Sequence, residues 1–100
     1  MKLNIKKIIN VTKQDILKGK SDPEACPVTL GIKKEFKLTV DDYVFVDEAE
    51  IRIGEIFNLK TPKDVKTFIK TFDDCFDYNG HLIDRESRNS LKPFKFALEL

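Results

Sequence analysis

A single histidine, His81, limits the chemistry open to this 100-residue chain. A thiol or hydroxyl nucleophile needs a neighbouring base, and the sequence supplies one imidazole in a polar, turn-rich stretch. Cysteine is equally scarce. Cys26 and Cys75 form no Cys-x-x-Cys pair and no disulfide framework, and no cluster of His, Cys and carboxylate has zinc spacing. Tryptophan is absent, and arginine numbers three against fifteen lysines. Bidentate reading of guanine or phosphate favours arginine, so the bias argues against a base reader. No run approaches the roughly 18 apolar residues of a membrane span, and no apolar segment follows the first lysine as a signal peptide requires. These absences lead to the expectation of a cytoplasmic protein with no membrane partner, no cofactor and no catalytic residues.

What is present describes one domain over residues 1–100. Apolar residues make up 41% and charged residues 35%, enough for a modest core. Eight Phe suggest a core built on phenylalanine. The charge is uneven. Residues 1–37 hold nine Lys against four acids, a net of +5, and residues 38–100 have a net of −4.

Periodicity predicts the elements. "KLNIKKIINVT", 2–12, alternates as a strand with Leu3, Ile5, Ile9 and Val11 on one face and Lys7 interrupting it. Thr12 caps a short helix that Gly19 ends. "KSDPE" is a turn. A helix from Cys26 or Pro27 to Phe36 carries Val28, Ile32 and Phe36 on one stripe, with Gly31 either weakening it or allowing close packing. Strands follow at 43–47, 50–53 and 56–60, the last two joined by a two-residue turn at Gly54–Glu55. Thr61 is the expected N-cap of a helix over 61–76, with Pro62 in its first turn. Val65, Phe68, Ile69, Phe72 and Phe76 form its apolar face, opposite Lys63, Lys66 and Lys70. Residues 77–92 read as an exposed loop or insertion. "PFKFALEL" closes the chain as a strand burying Phe94, Phe96, Leu98 and Leu100. The order β-α-α-β-β-β-α-β indicates an α+β fold, a mostly antiparallel sheet of about five strands with helices on one face.

Three features invite a functional reading. Cys26 opens a helix, where a dipole can activate a thiol. With no base at hand it reads as a small buried apolar residue, and a Cys26–Cys75 disulfide is disfavoured in a reducing compartment. "CFDYNGHLIDRE", 75–86, resembles a calcium loop with Asp77, Asn79 and Glu86 in place. Cys75, however, occupies the first position, where a carboxylate belongs, so a polar turn is expected. Lys33, Lys34 and Lys37 end the Cys-Pro helix. With Lys6 they would form a basic interaction patch, if that helix ends near the first strand. Asp73, Asp74 and Asp77 form the opposing acidic candidate.

"VTKQDILKGKSDPEACPVTLGI", "IRIGEIFNLKTPKDVKTFIKTFD" and the terminal "PFKFALEL" together resemble a family of small phage and bacterial proteins. That family is built on a Val-Thr strand, a Cys-Pro helix and a Pro-Phe-x-Phe strand, and offers no activity to transfer. The resemblance implies a phage setting, where such proteins act as inhibitors or ligand-binding decoys against host defence machinery. The functional expectation is a small non-enzymatic interaction or inhibitor protein that binds a protein or small ligand. The alternative is a nucleic-acid-binding accessory protein using the basic first third.

Overall fold

A computed structural model describes residues 6–39, 41–55 and 57–99. The expectations for Leu3, Ile5, Ile56 and Leu100 lie outside those residues. The fold is α+β. Among the described residues five strands divide into two antiparallel sheets, one of two strands and one of three, in place of the single sheet expected.

Strand β1 (Lys6–Val11) pairs with the final strand, β5 (Phe94–Glu99), in register from Lys6 opposite Glu99 to Val11 opposite Phe94. Alternation turns Ile9, Val11, Phe96 and Leu98 inward and leaves Ile8, Asn10, Lys95 and Ala97 outside. Lys7 falls on the inner side. Its ammonium reaches the rim, 6.0 Å from the centroid of the Phe36 ring, so its stem can cover apolar surface while its charge stays wet.

Helix α1 (Lys13–Lys18) is short, and its start is secured by a capping box. The Thr12 hydroxyl accepts from the Asp15 N–H at 3.2 Å, and the Asp15 carboxylate accepts from the Thr12 N–H at 2.9 Å. Gly19 ends it for a reason other than the expected one. Its φ is −65°, open to any residue, but a Cβ there would lie 2.6 Å from Pro27 Cδ. The turn that follows is tied to the second sheet, because the Pro23 carbonyl accepts from Val46 N–H at 2.9 Å.

Helix α2 (Pro27–Glu35) buries Val28 and Ile32 and packs against both β1 and strand β2 (Val44–Val46), bridging the two sheets. Gly31 serves close packing here. An added Cβ would sit 3.2 Å from the Asn10 carbonyl and 3.3 Å from Ile9 Cγ2 on β1.

Strands β2, β3 (Glu50–Ile53) and β4 (Phe57–Lys60) form the second sheet as a meander. Asp47 makes the first turn by accepting from the N–H groups of Ala49 and Glu50, both at 2.8 Å. Ile53 pairs with Phe57, so three residues separate the paired ends of β3 and β4 and the expected two-residue turn is not formed. Gly54 still needs its glycine, since its φ is +61°.

Helix α3 (Lys63–Asp73) buries Val65, Ile69 and Phe72. Its N-cap is Pro62, with no side-chain cap, and Thr61 has another task. The Thr61 hydroxyl donates to the Asp47 carbonyl at 2.7 Å and so ties β4 to the β2–β3 turn. Phe68 meets Phe94 of β5 with ring centroids 4.7 Å apart.

Residues 77–92 are not irregular throughout. They include helix α4 (Arg85–Ser90), capped by Asp84, which accepts from the Ser87 N–H at 3.0 Å and the Ser87 hydroxyl at 2.7 Å. The helix buries no residue. Polar groups dock it on α1: Lys13 Nζ donates to the carbonyls of Asn89 and Leu91, and Arg88 donates to the Leu17 carbonyl. The Lys13 bonds satisfy carbonyls at the end of α4, and the Arg88 bond satisfies one in the last turn of α1.

The core is aliphatic. Ile9, Ile16, Ile32, Ile51, Val11, Val28, Val44, Val46 and Val65 are essentially inaccessible, and each contributes about 1.5–3 kcal/mol by burial. Among the described residues only Phe72 and Phe96 are buried phenylalanines. Phe36, Phe57, Phe68, Phe76 and Phe94 pack around the margin. β-branched side chains suit strands and the close α2–β1 approach, while Phe72 is the largest of the fully buried side chains.

Candidate functional site

Cys26 is the N-cap of α2 and is 3% exposed. Its Sγ accepts from the Thr29 N–H at 3.5 Å and lies 3.3 Å from the Thr29 hydroxyl, which donates to the Pro23 carbonyl. Burial raises the thiol pKa, and the Thr29 bonds only partly oppose it. The side chain thus takes the place of the usual Ser or Asp cap. Cys75 is also free and buried. Its Sγ lies 3.5 Å from the Thr71 carbonyl, and burial raises its pKa as well. A buried, neutral thiol is a poor nucleophile.

The stretch resembling a calcium loop is occupied with its own backbone. Asp77 Oδ1 accepts from the N–H groups of Asn79 and His81, each at 2.9 Å, and the Asp77 N–H donates to the His81 carbonyl. The His81 bond is the main cause of the lowered Asp77 pKa. At the first position the Cys75 thiol donates to the Thr71 carbonyl at 3.5 Å, and the His81 carbonyl, at the seventh position where a calcium loop presents its backbone oxygen, is taken by the Asp77 N–H. Among the described residues no group of three or more His, Cys, Asp or Glu side chains is arranged to hold a metal ion.

Asp73 and Asp77 line an open hollow of about 530 Å³ with Lys20, Ser21, Asp22, Tyr78, Asn79 and Gly80. Partial burial, then Glu48 and Asp74, raise the Asp73 pKa. Asp74 is outside this lining. It is the C-cap of α3, its N–H donating to the Lys70 carbonyl at 3.1 Å. The acidic candidates are divided among a helix end and a turn.

The proposed basic patch is divided too. Lys34 forms a 2.6 Å ion pair with Asp15, whose side chain is 9% exposed, and joins α2 to α1. Lys37 has φ 55°, and with Leu38 it closes α2. The Lys37 N–H donates to the Lys34 carbonyl and the Leu38 N–H to the Lys33 carbonyl, the Schellman arrangement. Lys6 does not meet them across one face. Lys7 takes the side of β1 that faces α2, so alternation turns Lys6 to the other.

Lys6 instead lies with Lys60, next in the chain to the helix whose Lys63, Lys66 and Lys70 the sequence sets opposite its apolar face. With Leu59, Lys60, Pro62, Ala97, Leu98 and Glu99 it lines a hollow of about 310 Å³. Thr61, the chain neighbour of Pro62, lines a second, open groove of about 840 Å³ along α3 with Glu48, Lys63, Lys66, Thr67, Lys70 and Thr71. Lys6, Lys60, Lys63, Lys66 and Lys70 are all exposed, and among the described residues none forms an ion pair. The Thr67 and Thr71 hydroxyls donate back to the carbonyls of Lys63 and Thr67, leaving the ammonium groups as the donors that face the groove. A signal for this belt was in the sequence: lysines at 60, 63, 66 and 70 recur at helical spacing.

No protein-family model, curated protein or solved structure matches this chain. Among the described residues no helix is long and apolar enough to cross a membrane.

Proposed function

We propose that this chain is a small non-enzymatic interaction protein that docks an anionic partner on the belt of Lys6, Lys60, Lys63, Lys66 and Lys70. The observation that carries the reading is that these five lysines line two hollows, linked in the chain at Thr61–Pro62, without ion-pair partners among the described residues. Clustered cations raise the local potential and steer an anion toward the surface, at a rate that falls with salt. The buried state of both thiols is in keeping with binding rather than catalysis.

The test uses Lys63→Gln/Lys66→Gln/Lys70→Gln and a generic polyanion, low-molecular-weight heparin, titrated by calorimetry at low salt. The wild type should bind, and the triple variant should bind at least tenfold more weakly with an unchanged Tm. Equal affinity of the two proteins would remove the belt as the docking surface.

A further inference from the structure

We infer that the anionic partner is nucleic acid, held by its phosphates without reading of the bases; this rests on the belt being the docking surface. The chemistry of the lining separates nucleic acid from an acidic protein. Cores of protein–protein interfaces are depleted in lysine and built on aromatic and arginine anchors. Neither hollow of the belt is lined by an aromatic or an arginine side chain. Lysine serves phosphate as a point charge and needs no planar partner.

The spacing agrees. Lys63, Lys66 and Lys70 follow one another along α3, and at about 1.5 Å per residue the three span about 10 Å of helix axis. One strand of duplex DNA presents a phosphate about every 3.4 Å of its axis, so this length faces roughly three phosphates. Lys60 and Lys6 extend the line of charge toward the end of the β1–β5 ribbon. The planar side chains that read bases through a rigid bidentate fork, Asn, Gln and Arg, are absent from the linings of the belt. Arg52 lies on the second sheet and is paired with Glu50 at 2.6 Å.

Fluorescence anisotropy with labelled 20-base-pair DNA, in two unrelated sequences, and with a single strand of the same length tests this across 25–200 mM NaCl. Full use of five lysines predicts a slope of log K against log salt of about −4.5 on duplex and about −3.5 on the single strand. The two duplexes should bind within twofold of each other. Lys63→Gln/Lys66→Gln/Lys70→Gln should reduce the duplex slope by about 2.7 while its circular dichroism and Tm match the wild type. Poly-L-glutamate is the discriminating arm. If it binds, its binding is lost in the triple variant and DNA does not bind at 25 mM NaCl, the belt stands and nucleic acid is overturned. If DNA binds equally to the wild type and the variant, both readings fall. A more than tenfold preference between the two duplexes would overturn binding through phosphates alone.

Discussion

Helix α2 ends in Lys33 and Lys34, with Lys37 just past its C-cap, while helix α3 carries Lys63, Lys66 and Lys70. The two sets differ in what the rest of the chain brings to them. Helix α1 delivers Asp15 to Lys34, already fixed in place by the Thr12 capping box, and the chain reverses at Lys37 to close α2. No other element brings a carboxylate into ion-pair range of the α3 lysines among the described residues. Surface charge thus becomes structural where a neighbouring element holds an opposite charge still. Elsewhere it stays available to a partner. The α1–α2 corner should therefore lose stability when altered, and the α3 face should lose only binding.

The corner is tested most severely by Gly19→Ala. The new Cβ overlaps the ring and backbone nitrogen of Pro27, so α1 and α2 must separate. A loss of about 1–3 kcal/mol is expected in urea denaturation. A loss under about 0.5 kcal/mol, within the range of ordinary surface changes, would mean the corner gives way easily and is not the rigid member of the comparison.

A smaller loss is expected from Asp15→Ala, which removes the carboxylate half of the capping box and the Lys34 partner together, at about 1–2 kcal/mol. Asp15→Asn keeps an acceptor for the Thr12 N–H, so it should retain most of that stability. If both variants unfold alike, the ion pair outweighs the cap.

Lys37→Gly has the smallest expected effect, and its sign is opposite. A lysine at φ 55° bears a left-handed strain that glycine does not, so the variant should gain about 0.5–1 kcal/mol. Anion binding through α3 should be untouched. A loss of binding in this variant would move the docking surface back to the end of α2 and erase the distinction between the helices.

Helix α4 shows why part of the chain was illegible. Its six residues have no apolar stripe and bury nothing, so periodicity gives no signal. Only Asp84 with Ser87 three residues on hints at a cap. Its end is held by Lys13, 76 residues away from Asn89. The belt was half legible. The lysine spacing on α3 is plain in the sequence, but Lys6 joins it through a fold that no local pattern reveals.

The sequence by itself determined the features whose partners lie within a few residues: the Thr12–Asp15 box, the Cys26–Pro27 start of α2, the two-faced α3, and the alternation of β1 and β5. Caps and periodicity are local properties of the backbone, and neighbouring side chains suffice to set them. Tertiary structure alone decided that the strands of the described residues divide into two sheets, that Gly19 is required by Pro27, and that among those residues Lys34 is paired while Lys63, Lys66 and Lys70 are not. These depend on which distant surfaces meet. That is settled by burying the Ile and Val side chains of both sheets against α2, and only afterwards does a charge find, or fail to find, its opposite.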